Sequence, residues 1–599
     1  MSQDLNQFKY SNIKNIPVKQ LPEVAEKLRE QIISSVAENG GHLSSNLGVV
    51  ELSLALHYVF DLPKDELIFD VGHQCYAHKI LSGRDISSGL RSKNGLSGFP
   101  DRDESEYDCF GAGHAGTSVS ASLGFCQARD VLNQDYYVLN VVGDASLSNG
   151  LNLEALTISD VKPKKLIVIL NDNGMSISKN KNGFYNFLSK KTAGKSYINS
   201  KRIAKKLFGK GLSGCISRLK ARIKRLFNKN SVIDTLGFKY VGIVDGNNVS
   251  DLVKILQKVK LVAEDKAVFL YVKTTKGKGY KPSEARADLY HGVGKNLQCK
   301  SSSVGKVVGE KLNKIIKENP LVMAITAGMK DGTGLSVVEK ENPRNFIDVG
   351  IAEEYAVTLS AGMAAGGLKP VVVIYSTFMQ RAYDQIVHDV CLQNLPVVFC
   401  LDHAGLVGED GKTHQGVFDL SYLYHIPNLK IIAPSSLEEL EEGLDYALSL
   451  NCPVAIRYPK SLRNEDDKKP SLKEKPWLIE KQGKKATLIC VGENLKRLAL
   501  SVAQKEEGVG VVSARILKPL DEQTLKDIDT PLVITLEENA VLGGFGQVIA
   551  TYFAQNKGQT KVIVCGVKDR FIGQGNVVEQ MGFNDLTEEN IIKLIKENK

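Results

Sequence analysis

Two apolar runs in the first third of the chain end in short polar breaks, and this pairing restricts the fold more than any other feature. Leu139-Asn140-Val141-Val142 stops at Gly143-Asp144, and the run Leu166 to Leu170 stops at Asn171-Asp172-Asn173. Short apolar runs bounded by turn residues read as strands of a parallel sheet, buried on both faces. A helix-like stretch, Leu151 to Ile158, separates them. Asp144 and Asn173, 29 residues apart, are therefore expected together at the carboxyl edge of one sheet, where open α/β folds bind ligands. One carboxylate and one amide oxygen are too few ligands for an all-protein metal cage. They suit Mg2+, which keeps other positions for the phosphates of a bound molecule.

A chain of 599 residues exceeds one core and predicts about three domains. With 43% hydrophobic and 24% charged residues it has the composition of a soluble globular protein. Its start, Met1 to Asn6, has neither the basic opening nor the apolar core of a targeting segment, and no apolar run is long enough to span a bilayer. The expected location is the cytosol. Ten cysteines without any Cys-x-x-Cys pair, among them Cys400 and Cys490 in apolar segments, read as reduced and buried.

The net charge of +9 invites a nucleic-acid reading until it is located. Residues 181–231 hold fifteen Lys or Arg and no Asp or Glu, so the rest of the chain is slightly acidic. Within them Ile203, Leu207, Leu212, Ile216, Leu219, Ile223 and Leu226 fall near helical spacing, which reads as a basic amphipathic insertion. The amphipathic stretch 203–227 interleaves few aromatics, only Phe208 and Phe227, and forms no recognisable binding module, which disfavours phosphate-backbone or membrane binding.

Helical and strand patterns alternate along the chain. Leu21, Val24, Leu28, Ile32 and Val36 mark one helix face, closed by Asn39-Gly40-Gly41, and strands are predicted at Leu67 to Phe69 and Val268 to Val272. After a polar linker at 295–303 the alternation restarts with Leu321 to Thr326, Phe346-Ile347, Val371 to Ile374, Val397 to Leu401 and Ile431-Ile432. A second linker, 461–475, precedes a smaller unit with strands at Leu488 to Val491, Val511-Val512 and Val533 to Leu536. The expected architecture is α/β in three domains, 1–302, 303–470 and 471–599: two doubly wound, mostly parallel sheets and a smaller C-terminal α/β domain.

Taken alone, Gly-Asp and Asn-Asp-Asn are common turn sequences. With this spacing they resemble the metal motif of thiamine diphosphate enzymes. Further strings narrow the likeness: Gly41-His42-Leu43-Ser44-Ser45-Asn46-Leu47-Gly48, Asp70-Val71-Gly72-His73-Gln74, Thr275 to Tyr280, Tyr375 to Asp384 and Asp410 to Gly416. In order, and over nearly the whole length outside the basic insertion, they resemble the 1-deoxy-D-xylulose-5-phosphate synthase family.

That resemblance implies thiamine diphosphate held between the first two domains. Asp144, Asn173 and the Met175 carbonyl would hold Mg2+, and His73, Gly113, His114, Ala115, Ala145, Ser146 and Tyr280 would line the cofactor. Glu353 would face the aminopyrimidine, with Phe378 stacked on it. His42, His291, Asp410 and His414 would surround the reacting carbonyls, with Tyr375, Arg381, His403 and Arg457 on the substrate side. The implied reaction decarboxylates pyruvate and passes two carbons to D-glyceraldehyde 3-phosphate, in a homodimer serving isoprenoid, thiamine and pyridoxal precursor synthesis.

The chain departs from the family pattern at several points. His403 stands where arginine is usual, which removes a charged phosphate contact, and Lys412, nearby in sequence, is the candidate to compensate; Tyr355 stands where histidine is usual. Ala145, Ala115 and Gly174 replace glycine, serine and glutamate. Three rivals stay open: a paralogue taking an unphosphorylated aldehyde, a transketolase, and a scaffold recruited to nucleic acid or membrane through residues 181–231.

Overall fold

A computed structural model describes residues 10–158, 162–174, 232–298, 303–465 and 469–598. Met175, the basic segment 181–231 and part of the linker at 295–303 lie outside the described residues. The chain divides into two compact units, residues 1–300 and 301–599.

The first unit is built on a five-stranded sheet of β1 (Glu66–Phe69), β2 (Val138–Gly143), β3 (Leu166–Asp172), β4 (Lys239–Asp245) and β5 (Val268–Lys273), in the order β1-β2-β3-β5-β4. Every pairing is parallel. Alternate residues feed two cores: Leu139, Val141, Ile167 and Ile169 face one, and Val138, Val142, Leu166, Val168 and Leu170 face the other. Two-sided burial is why these strands read as unbroken apolar runs. The helix Leu21–Asn39 buries the predicted Leu21, Val24, Leu28, Ile32 and Val36, each at most 2% exposed, and stops at Gly40, whose φ of 77° ends the helical path.

The second unit carries two sheets. One contains β6 (Val322–Thr326), β7 (Phe346–Asp348), β8 (Lys369–Tyr375), β9 (Val398–Asp402), β10 (Lys430–Ile432) and β11 (Val454–Arg457), all parallel. The other contains β12 (Trp477–Lys481), β13 (Ala486–Cys490), β14 (Val509–Ala514), β16 (Leu532–Ala540) and β17 (Lys561–Val567), parallel except for the antiparallel edge β12. Between β14 and β16 in sequence, β15 (Ile516–Lys518) leaves its own domain and pairs antiparallel with β10, extending the order to β15-β10-β11-β9-β8-β6-β7.

The three-domain α/β architecture with parallel sheets is as expected. The sequence pattern missed β4, β11, β12, β15 and β17. β11 and β15 are only four and three residues long, and β17 is a half-exposed edge, so none presents a long apolar run. No helix among the described residues is long and apolar enough to cross a membrane.

Candidate active site

Site residues of the first unit gather at the carboxyl ends of its strands. β2 and β3 are neighbours with Gly143 opposite Asn171, so Asp144 and Asn173 follow adjacent strand tips. Asp144 is 3% exposed and opens a four-residue helical turn that contains Ala145 and Ser146. Asn171 and Asp172 are engaged locally: Thr274 Oγ1 donates to Asn171 Oδ1 at 2.7 Å, and Asp172 accepts from the Tyr271 hydroxyl and, at 2.8 Å, from the Gly174 amide. Asn173 is thus the polar residue of the triplet that lies past the strand, half-buried. Among the described residues no three His, Cys, Asp or Glu side chains gather to hold a metal. A carboxylate and an amide at adjacent tips fit a cation that takes most of its ligands from elsewhere, as Mg2+ does.

Three predicted histidines come together. The ring centroids of His42 and His73 are 5.3 Å apart, His42 and His291 5.5 Å, and His73 and His291 5.1 Å. An isolated bridge between Gly41 and Val293, with amide–carbonyl bonds of 2.9 Å in both directions, brings His291 to His42. Asn46 joins the other two: its Nδ2 donates to the His42 carbonyl at 2.6 Å and the His73 carbonyl at 2.7 Å. His73 follows a tight turn in which Val71 and Gly72 both have positive φ, and a Cβ on Gly72 would lie 2.4 Å from Pro100 Cδ.

Gly113, His114 and Ala115 form the loop before the helix Ser118–Val131. Tyr280 packs edge-on against Tyr290, with centroids 5.8 Å apart. Lys276, which lies in the Thr275 to Tyr280 string but has no role assigned from the sequence, is 6% exposed. Burial lowers its pKa to about 8, opposed by the nearby charges of Asp144 and Asp288, so a cation shares the site with the predicted metal ligand.

In the second unit Glu353 opens the helix Glu353–Ala365 and is 3% exposed. Burial pushes its pKa above the ordinary carboxylate range, while Arg381, with Nη1 3.3 Å from Oε2, opposes the shift. Arg381, expected on the substrate side, is thus an ion-pair partner of Glu353. Tyr375 ends β8 and lies beside Asp402 in register. Its ring stacks on His403, with centroids 4.0 Å apart and planes 18° apart, and on Phe378 at 5.9 Å and 9°. His414 meets Phe378 edge-on at 5.5 Å, and Asp410 precedes the turn Gly411–Thr413 that leads to it.

Two of the residues expected at the phosphate side are bonded within the protein. His403 has a φ of 57°, and its backbone amide and Nδ1 both bond Asp402 Oδ1, at 2.7 and 2.8 Å. Arg457 is 6% exposed: Nε contacts both Asp419 oxygens at 3.0 and 3.1 Å, and Nη2 donates to the Glu538 carbonyl at 3.3 Å. Lys412 is exposed in its turn, and Tyr355 is 57% exposed. Asn46 and Asp70 lie inside strings already singled out, whereas Asn152, described below, had no sequence signal.

Comparison with known proteins bears on this arrangement. Residues 5–274 match a family model described as 1-deoxy-D-xylulose-5-phosphate synthase, residues 300–465 the transketolase pyrimidine-binding domain, and residues 476–591 the transketolase C-terminal domain. A protein named 1-deoxy-D-xylulose-5-phosphate synthase from Clostridium tetani is 45% identical over 97% of each chain. Proteins of the same name from Carboxydothermus hydrogenoformans and Clostridium acetobutylicum are 44% and 42% identical, over 98% of this chain and 97% of theirs.

Proposed function

The chain belongs to the 1-deoxy-D-xylulose-5-phosphate synthase family, and from that premise we propose that it decarboxylates pyruvate and joins the remaining two carbons to D-glyceraldehyde 3-phosphate. The products are 1-deoxy-D-xylulose 5-phosphate and carbon dioxide, feeding isoprenoid, thiamine and pyridoxal precursor synthesis. The observation that carries this reading is the buried Glu353 carboxylate, raised in pKa and countered by one arginine, at the head of a helix.

Bound thiamine diphosphate supplies a thiazolium carbon that can take up the two-carbon unit and stabilise its charge. Asp144 and Asn173 would hold Mg2+ at the diphosphate end, together with the Met175 carbonyl that the family resemblance assigns to it. Gly113, His114, Ala115, Ala145, Ser146, His73 and Tyr280 line that end of the cofactor. Glu353 shares a proton with the aminopyrimidine ring, a task suited to a carboxyl whose two protonation states are brought closer in energy by burial. Phe378 gives the ring an apolar face. His42, His291, His414 and Asp410 hold and exchange protons at the substrate oxygens, and Tyr375, Arg381, His403 and Arg457 complete the substrate side. Domain limits of 1–302, 303–470 and 471–599, a homodimer and a cytosolic location complete the proposal.

The test is product analysis of purified chain with Mg2+, thiamine diphosphate, pyruvate and D-glyceraldehyde 3-phosphate. Carbon dioxide and the pentulose phosphate should appear together. A chain that binds the cofactor yet releases no carbon dioxide would refute the proposal.

A second reading, a carboligase for an unphosphorylated aldehyde, is favoured by two observations: His403 is tied to Asp402, and Arg457 turns its Nε edge to Asp419. Each engages a donor that an incoming phosphate would otherwise bond. Under it, D-glyceraldehyde would outcompete its 3-phosphate, and His403→Arg would restore use of the phosphate ester.

A further inference from the structure

Behind the first unit's strand tips lies a fully buried tie that joins three loops. Asp70, at the end of β1 and 1% exposed, accepts from the Gly116 amide through Oδ1 at 2.9 Å and from the Ser118 amide through Oδ2 at 3.1 Å. Asn152, 0% exposed, donates through Nδ2 to Asp70 Oδ2 at 3.1 Å and to the Ser146 carbonyl at 2.9 Å. Its Oδ1 accepts from the Val119 amide at 3.3 Å. One neutral amide therefore fastens the loop before the helix Ser118–Val131 to the turn after β2. The two segments also interlock: a Cβ on Gly116, whose φ is 92°, would lie 2.2 Å from Asn149 Oδ1.

We propose that Asn152 is a positioning residue for the diphosphate end of the cofactor, holding the 113–116 loop and the 144–146 turn in their binding arrangement before the cofactor arrives. The inference rests on the assignment of those two segments to the cofactor in the preceding subsection. Its physical basis is that each immobilised segment otherwise has to be ordered on binding, at a cost in affinity. The position demands an amide. An aspartate of the same shape would set a second carboxylate against Asp70, and an alanine would take the Asn152 acceptor from the buried Val119 amide and one donor each from Asp70 Oδ2 and the Ser146 carbonyl, which keep the Ser118 and Asn149 amides.

The experiment measures Mg2+-dependent thiamine diphosphate binding by titration calorimetry, thermal unfolding of the cofactor-free proteins, and kcat at saturating cofactor. Asn152→Ala should raise Kd about tenfold, with kcat at saturation within about twofold of the parent, since the lost bonds act on loop order rather than on reacting atoms. Asn152→Asp should bind more weakly still, and Asp70→Asn combined with Asn152→Asp should bind more tightly than Asn152→Asp alone, because the facing charges are relieved. A lowered unfolding temperature with unchanged Kd would make Asn152 merely structural and overturn the inference. So would a double variant no better than the single one, a comparison that stands even if Asn152→Ala fails to fold. Failure of the parent chain to bind thiamine diphosphate with Mg2+ would instead sink the proposed function, without reference to any variant.

Discussion

Single side chains carry the chemistry, and Glu353 is the sharpest case. Glu353→Gln keeps shape and burial but cannot ionise, so kcat should fall by about 100- to 10,000-fold while cofactor still binds, as calorimetry and steady-state kinetics would show. Sequence could nominate this glutamate through its motif. It could not show the burial that raises its pKa or the arginine that opposes the rise, because Arg381 lies 28 residues away. A second buried set has consequences for stability. His57 Nε2 meets His78 Nδ1 at 2.9 Å, His78 Nε2 meets Asp108 Oδ1 at 3.1 Å, and Arg84 bonds both Asp108 oxygens at 2.6 and 2.8 Å. Burial lowers the pKa of both histidines, so the folded chain stays unprotonated there where the unfolded chain takes up protons. Stability therefore falls as pH drops below the unfolded value of about 6.5, with a limiting slope of about 1.4 kcal/mol per pH unit for each proton that the unfolded chain binds and the folded chain does not. Urea unfolding across that range should show His57→Phe flattening the dependence by about one histidine's share.

Elements were legible where burial is two-sided and long. β2, β3, β5, β6 and β8 each bury a continuous apolar run, and the sequence marked all of them. β17 was missed because its first five residues are only half-buried or exposed, which leaves no pattern above that of a loop. The helix Phe545–Asn556 shows what packing adds to pattern. Its first turn docks against β16 through Glu537, whose two oxygens accept from the Phe545 and Gly546 amides at 2.9 and 2.8 Å. A Cβ on Gly546 would lie 2.4 Å from Thr535 Oγ1 and 2.5 Å from Val564 Cγ1. Gly546→Ala should therefore push the helix off β16 and β17 and cost about 1–3 kcal/mol in denaturant unfolding, despite alanine's better helix propensity.

At the scale of the whole molecule, the second unit is held as one body by connections that cross its domains. β15 adds to the sheet of β10, and Arg515 just before it is fully buried. Its Nη1 donates to Glu439 Oε1 at 3.2 Å and to the Pro470 carbonyl at 3.1 Å, and Nη2 reaches the Ser471 and Lys475 carbonyls. Arg515→Ala would leave Glu439 buried without its cation, and urea unfolding should report a loss of about 3–5 kcal/mol. Arg515→Lys should recover only part of it, because a single ammonium cannot reproduce the planar fork.

The amino-acid order alone determined the parallel strands and the placement of Asp144 and Asn173 at neighbouring tips, because apolar runs and their polar stops are local and burial acts on them directly. Tertiary structure alone decided which groups meet: His291 beside His42 through the Gly41–Val293 bridge, Arg457 on Asp419, His403 on Asp402, and Asn152 on Asp70. Hydrogen bonds and ion pairs act over a few ångströms between residues that can be hundreds of positions apart. Their partners are fixed only once the chain has closed around them.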